Sequence, residues 1–245
     1  MVSASFTLTA PTPIGVGLTA TTFPGGVNTG CDGSTDGSID ATIIGGVGPY
    51  TATWTGPDGP LGIGEDLTGL GAGTYSISVS DALGCTAVSS IILNGPTGIS
   101  AVADPLVHPN GSNLSCSYSA DGAIDLAVSG GTAPYIVSWT GPGGFTSASA
   151  HLTGLAAGTY TAQVSDVNGC STIVHAALIA PAPILLGINT SQYSGGMEVS
   201  CSGATDGSII ANVTGGSPGY VLGWTGPNGF SSQQSSISGL SPGTY

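Results

Sequence analysis

Carboxylates and cysteines are the side chains of this sequence whose types and spacing could support chemistry. Acidic residues follow three cysteines that recur at a constant spacing in sequence number, 116 − 31 = 85 and 201 − 116 = 85. Calcium binds six to eight oxygens, and no basic residue competes for these carboxylates. Because Asp-Gly pairs are also standard turn residues, the sequence leaves a calcium site and simple turn chemistry as alternatives. The cysteines are Cys31, Cys116 and Cys201, and the carboxylates are Asp32, Asp36, Asp40, Asp121, Asp125 and Asp206.

The cysteines also form matched pairs within each full repeat. Their separations in sequence number are equal, 85 − 31 = 54 and 170 − 116 = 54. On a β-rich repeat this pattern predicts the disulfides Cys31–Cys85 and Cys116–Cys170, and an oxidising, extracellular location. Cys201 would find its partner at 170 + 85 = 255, beyond the last residue. Zinc is the rival interpretation, but the sequence has no CxxC motif and no histidine at a repeated position.

The charge of the chain argues against several classes of function. It has no Lys or Arg and 13 acidic residues, so its formal net charge is −13. Nucleic-acid binding needs basic side chains to neutralise phosphates, and oxyanion-stabilising enzymes commonly use them. The three histidines, His108, His151 and His175, occupy different repeat positions and match no catalytic motif. We therefore expect no enzyme activity, no nucleic-acid partner and, calcium aside, no cofactor. No apolar run is long enough to insert in a membrane.

The sequence repeats with one unbroken period, equal to the cysteine spacing, and the repeating unit must position all of these side chains. Such a period through unlike residue types indicates a tandem array of one small domain. We expect repeats at residues 11–95, 96–180 and 181–245, the last of them incomplete. Residues 1–10 align with residues 86–95 and would be the last strand of a preceding repeat, so we expect the chain to be part of a longer one.

Each repeat alternates apolar and polar residues as a strand does. Tyr75, Ile77 and Val79 share one face, and Gly-Pro turns separate such segments. No helical period appears. The sequence predicts an all-β fold, a tandem array of immunoglobulin-like antiparallel β-sandwich domains of about 85 residues each. The motifs LGAGTY, LAAGTY and LSPGTY look like the tyrosine corner of such sandwiches. The predicted core aromatics are Trp54, Trp139, Trp224, Tyr75, Tyr160 and Tyr245.

One family shares this succession of motifs. The order C-x4-DG-x-I, GG-x2-PY-x3-W-TGP, L-x2-GTY and D-x2-GC resembles the repeat of SprB-type gliding-motility adhesins. Repeat 3 departs slightly, since Ile210 stands where repeats 1 and 2 have their second Asp. The resemblance covers nearly the whole chain and implies a cell-surface adhesin or filament of immunoglobulin-like domains. It does not imply a ligand.

The preferred hypothesis is therefore a structural or adhesive segment of a long extracellular repeat protein, used for surface attachment or gliding. The alternative is a set of accessory carbohydrate- or calcium-binding repeats of a secreted multidomain enzyme. Neighbouring repeats, further copies in a filament and a surface polysaccharide are the expected partners. In one arrangement, the first ten residues of one copy complete repeat 3 of the next by donor-strand pairing.

Overall fold

The computed structural model describes residues 3–245, which fold into consecutive groups of short antiparallel strands. Every strand pair among these residues is antiparallel, and the only helical elements there are two short 3₁₀ turns. The prediction of an all-β, immunoglobulin-like tandem array is confirmed. None of the described residues belongs to a helix with the length and apolar character needed to span a bilayer.

Repeat 1 is a sandwich of a three-stranded and a four-stranded sheet. The first sheet has the order β1-β2-β5 and the second the order β4-β3-β6-β7. Turns that contain glycine or proline follow β2, β3, β5 and β6, whereas the longer loop of residues 21–36 joins β1 to β2. The strands are β1 (Gly15–Ala20), β2 (Gly37–Ile44), β3 (Thr51–Gly56), β4 (Gly59–Ile63), β5 (Leu67–Leu70), β6 (Gly73–Ser80) and β7 (Thr86–Leu93).

Repeat 2 has the same two sheets in the same order. They are β12-β9-β8 and β11-β10-β13-β14. A 3₁₀ turn at Pro142–Gly144 precedes a shorter edge strand than in repeat 1. The strands are β8 (Ser100–Pro105), β9 (Gly122–Ser129), β10 (Ile136–Thr140), β11 (Thr146–Ser147), β12 (His151–Leu155), β13 (Gly158–Ser165) and β14 (Ser171–Leu178).

The core of each sandwich lies between its two sheets. In β6 the alternation places Tyr75, Ile77 and Val79 inside, where each is at most 4% exposed, and the intervening serines outside. Trp54 and Trp139 are 1% and 0% exposed, and a core cluster forms around each of them. Repeats 1 and 2 thus each have a core of their own, and burying side chains of this size contributes roughly 1.5–3 kcal/mol apiece.

Repeat 3 shows the same first sheet and part of the second. The sheets are β15-β16-β19 and β17-β18. A cavity of about 340 Å³, lined in part by Val199, Ile209, Leu240 and Tyr245, opens into its interior. The elements are β15 (Leu185–Thr190), β16 (Gly207–Thr214), β17 (Trp224–Thr225), a 3₁₀ turn (Pro227–Gly229), β18 (Ser231–Ser232) and β19 (Ser236–Leu240).

The first residues of the chain belong to neither sheet of repeat 1. Residues 3–14 form no strand, and Phe6 and Leu8 are 89% and 88% exposed. These two side chains align with Ile91 and Leu93, which pack in the core of repeat 1. The assignment of residues 1–10 to a preceding repeat stays a prediction, and Met1 and Val2 lie outside the described residues.

Candidate functional site: the junction between repeats

The single disulfide among residues 3–245 joins two different repeats. Cys31 of repeat 1 bonds to Cys170 of repeat 2, with their Cα atoms 5.7 Å apart and a sequence separation of 139. Cys85, Cys116 and Cys201 are exposed free thiols. The prediction of disulfides within each repeat is therefore wrong. Cys31 lies at the end of its sandwich that faces repeat 2, and the turn bearing Cys170 lies at the near end of repeat 2, so these two meet.

A hydrogen-bonded acidic loop between β1 and β2 presents Cys31. The amide of Cys31 donates to Ser34 Oγ at 3.1 Å, and that hydroxyl donates to Asp36 Oδ1 at 2.7 Å. Asp36 also accepts from the amide of Gly30 at 3.0 Å. These bonds, that from Ser34 first, hold the pKa of Asp36 below its usual value. Asp36 thus fixes the shape of the loop that carries the cysteine.

A buried aspartate presents Cys170 on the opposite side. Asp166 is 4% exposed and lies in the turn between β13 and β14. Its carboxylate accepts from the amides of Asn168 at 2.9 Å and Cys170 at 3.0 Å. The other oxygen accepts from the amide of Thr132 at 2.9 Å. One carboxylate therefore fixes the cysteine turn against the turn that follows β9.

Asp81 does the same in repeat 1. It accepts from the amides of Cys85 at 2.8 Å, Leu83 at 3.0 Å and Val47 at 3.1 Å. Burial raises the pKa of Asp81, but the backbone hydrogen bonds outweigh burial and the net pKa is lowered. Both DxxGC turns thus have an Asp at the start and a Gly near the end, the residues that a type I turn prefers at these positions.

Contacts beyond the disulfide fill the junction. Asn168 Nδ2 donates to the carbonyl of Pro24 at 3.4 Å, and Cys170 Sγ lies 3.2 Å from the carbonyl oxygen of Gly30. The backbone of Gly25 approaches Thr132 so closely that a Cβ there would lie 2.6 Å from Thr132 Cγ2. The loop of repeat 1 that precedes Cys31 therefore packs directly on the near end of repeat 2.

A Gly-Gly turn in repeat 2 holds the linker in place. The amide of Gly131 donates to the carbonyl of Thr97 at 2.7 Å. Gly130 has φ of 70°, and a Cβ there would collide with the carbonyl oxygen of Gly98. Only glycine fits this position. The equivalent bond from Gly216 to Ala182, also 2.7 Å, fixes the linker that enters repeat 3.

Sequence reasoning missed the asparagines that close each sandwich before its linker. Asn28 Oδ1 accepts from the amide of Asn94 at 2.9 Å, and its Nδ2 donates to the carbonyl of Thr21 at 2.8 Å. Asn113 makes the same pair of bonds to Ile179 and Leu106. The two asparagines are one repeat length apart, and this spacing was the signal that could have revealed them.

The remaining acidic loop residues contact their own loops or solvent. Asp121 accepts from Ser119 Oγ at 2.7 Å and from the amide of Ser115, and hydrogen bonds from Ser115 and Ser119 lower its pKa to about 2. Ser200 bonds to Asp206 and likewise lowers its pKa. These contacts are those of turn chemistry. In the part of the chain from residue 3 onward, no group of three or more His, Cys, Asp or Glu converges in a way that could hold a metal ion.

The other predicted carboxylates are not brought together. Asp32 lies against the linker, where a Cβ on Gly98 would be 3.0 Å from its Oδ2. Asp40 is exposed on β2, opposite Thr19 of β1. Asp125 contacts His151 Nδ1 on the exposed face of repeat 2. Calcium binding by any of these residues stays a prediction.

The tyrosine corners are formed in all three repeats. Tyr75 Oη donates to the carbonyl of Gly71 at 2.9 Å, Tyr160 Oη to Ala156 at 3.0 Å and Tyr245 Oη to Ser241 at 3.1 Å. Burial raises the pKa of Tyr75 and Tyr160. In repeat 3, Trp224 and Tyr245 are only half-buried, and Tyr245 lines the open interior described above.

Solved structures of other proteins align with this chain at low sequence identity. Three N-terminal domains of the bacteriophage RB49 outer capsid protein Hoc align at 16% identity and a TM-score of 0.43, over 92% of this chain and 78% of that one. Dpr2 Ig1–Ig2 in complex with DIP-Theta Ig1–Ig3 aligns at 14% identity and a TM-score of 0.32, over 90% and 87% of the two chains. No curated protein matched the chain.

One segment of each repeat matches a known sequence family. The sequence pattern of the SprB repeat matches residues 27–59, 110–144 and 197–229, which confirms the predicted resemblance. Each matched segment begins in or near the loop that carries the first cysteine and ends in the turn after the tryptophan strand. The chain therefore carries three segments that match the SprB repeat, which is found in cell-surface proteins, and these mark it as a surface or adhesin repeat region.

Proposed function

We propose that this chain is a load-bearing segment of a long extracellular protein that forms a stalk or filament for surface attachment or gliding. The observation that carries the proposal is the Cys31–Cys170 bond between consecutive repeats. A disulfide within a domain strengthens only that domain, whereas this one gives the junction a second covalent connection beside the linker. Such a connection suits a chain that transmits force along its length.

The non-covalent contacts of the junction support the same role. The linker is bound on one side by the Gly-Gly turn of repeat 2, and the Pro24–Gly25 loop of repeat 1 packs on Thr132 and Asn168. Each contact restricts bending between the sandwiches. A series of stiffly joined domains gains length in proportion to their number, which is what a stalk requires.

The surface chemistry favours a passive rather than a catalytic part. Two of the three histidines contact separate local partners: His151 contacts Asp125, and His175 Nδ1 lies 2.9 Å from Thr161 Oγ1. With a formal net charge of −13 and no basic side chain, neighbouring copies also repel one another at low salt. We infer that the segment acts through its length and its joints.

Electron microscopy of the producing cells tests the proposal. An antibody against residues 96–180 carrying gold particles should label extended structures projecting from the cell surface, and deleting the repeat-coding region should abolish both label and surface attachment. A strain with the region restored is the control. Label confined to discrete particles would refute the stalk. A hydrolase domain in the same particles would identify the segment as accessory repeats of a secreted enzyme.

A further inference from the structure

The thiols of Cys116 and Cys85 occupy the same repeat positions as the two halves of the observed disulfide. Cys116 stands one repeat length after Cys31 (116 − 31 = 85), and Cys85 stands one repeat length before Cys170 (170 − 85 = 85). Both are exposed. Their intra-repeat partners, Cys31 and Cys170, are bonded to each other across the junction, so Cys85 and Cys116 are free although each repeat contains both cysteines.

Each free thiol is held by the same scaffold as its bonded equivalent. The amide of Cys116 donates to Ser119 Oγ at 3.1 Å and that hydroxyl to Asp121 at 2.7 Å, as Cys31 does through Ser34 to Asp36. The loop around Cys116 therefore has the hydrogen bonds that position a bonded cysteine.

The scaffold of Cys85 is preserved in the same way. Asp81 accepts from the amide of Cys85 at 2.8 Å, as Asp166 does from Cys170 at 3.0 Å. The loop that carries Cys116 and the turn that carries Cys85 are thus both formed. Neither thiol is bonded to another cysteine among residues 3–245.

The surroundings of Cys116 supply a second, independent observation. Nine residues line a recess of about 320 Å³ at the disulfide: Cys31, Asp32, Thr97, Gly98, Ile99, Gly131, Cys170, Ser171 and Thr172. Six of these positions, moved by one repeat length, line a recess of about 450 Å³ at the next junction: Cys116, Ser117, Ala182, Pro183, Ile184 and Gly216. The three positions without an equivalent there are those of Cys170, Ser171 and Thr172. At the six shared positions, the second junction therefore repeats the recess that surrounds the disulfide.

We propose that the Cys31–Cys170 bond is one member of a repeating series in which the first cysteine of each repeat bonds to the second cysteine of the following repeat. Cys116 and Cys85 are then attachment points for a cysteine of an adjoining repeat, from the same polypeptide or from another copy. Each bond forms by thiol–disulfide exchange: two thiols give up two protons and two electrons, and a disulfide oxidant such as oxidised glutathione is reduced to two thiols.

An extension of the existing chain tests the proposal. Residues 161–180 of repeat 2, appended after Tyr245, place a cysteine at 245 + (170 − 160) = 255. The purified protein is refolded in a glutathione buffer, its thiols are alkylated, and peptic fragments are analysed without reduction, since the chain has no Lys or Arg for trypsin. We expect Cys31–Cys170 together with a bond from Cys116 to position 255. The free thiols should fall from the present three, Cys85, Cys116 and Cys201, to two, although a cysteine has been added.

Matched variants make the outcomes decisive. The same extension with its cysteine replaced by serine should leave Cys116 alkylated. A shift in the fluorescence of Trp224 as it becomes buried shows that the extension completes repeat 3. If no shift is seen, residues 76–95 are appended instead, and they again place a cysteine at position 255. A bond from Cys201 to position 255, or a free Cys116 beside an intact Cys31–Cys170 bond and a folded repeat 3, would overturn the proposal.

The gel behaviour of the products identifies the source of the partner. A monomer containing the Cys116 bond assigns the series to one continuous polypeptide. Covalent oligomers that contain Cys201 of one copy bonded to Cys85 of the next assign it to copies joined end to end. The test is made in solution, so its failure would leave the proposed surface location unaffected.

Discussion

Stretching single molecules by their ends should show how the junction disulfide limits extension. The bond closes a loop of 139 residues that force cannot reach. At about 3.3–3.6 Å per extended residue, the fully unfolded oxidised chain should be roughly 460–500 Å shorter than a chain that carries Cys31→Ser and Cys170→Ser. The handles are attached through terminal peptide tags, so that no cysteine is consumed.

The size of this difference separates the possible pairings. A disulfide within repeat 1 or repeat 2 would hide a much shorter loop, with a sequence separation of 85 − 31 = 54 or 170 − 116 = 54. One such bond would shorten the chain by roughly 180–190 Å and both together by roughly 360–390 Å. The Cys85→Ser, Cys116→Ser variant is the matched control and should keep the full shortening. A difference near either smaller value, or none, would refute the assignment of the bond to the junction.

Three further changes test the description of the sandwich. Tyr160→Phe leaves the corner carbonyl without its donor and should lower the free energy of unfolding by about 1–3 kcal/mol in urea titrations, whereas Tyr118→Phe, on a side chain 90% exposed, should change it by less than about 0.5 kcal/mol. Trp139→Ala should cost about 3–5 kcal/mol in the same assay, because the side chain is fully buried, and a much smaller cost would contradict its place in the core. Because the folded-state pKa of Asp121, about 2, lies below its unfolded value near 3.8, the carboxylate stabilises the fold above about pH 4 and this stabilisation is lost as the pH falls toward 2. Asp121→Asn should flatten the acid limb of melting temperature against pH in that window, and the exposed Glu65→Gln should not.

The sequence allowed prediction of whatever is set by local pattern. Strand alternation and turn residues defined the sandwich, and the GTY motif defined the corner in which Tyr75 reaches Gly71 four residues earlier. The partners of Asp36 were also local, because Ser34 and Gly30 lie within six residues of it. Such features follow from chain geometry over a few residues, which a single repeat specifies completely.

The pairing of the cysteines depends instead on how one sandwich docks on the next. In a periodic sequence the first cysteine recurs at a fixed distance from the second cysteine of its own repeat and from that of every other repeat. Spacing alone therefore cannot choose among them. The packing of the Pro24–Gly25 loop on Thr132 and the fixed linker at Thr97 determine which cysteines pair. No sequence motif predicts these contacts.

The loop closed between Cys31 and Cys170 also changes what a single cut in the backbone can do. If a protease cleaves one peptide bond anywhere between these cysteines, both fragments stay joined through the disulfide, and the pieces separate only after a second event, either reduction or a further cut outside the loop. The interval includes the linker at Asn94–Gly98, which joins the two sandwiches outside any strand and is largely exposed. Cleavage of this exposed linker would thus leave the molecule in one covalent piece.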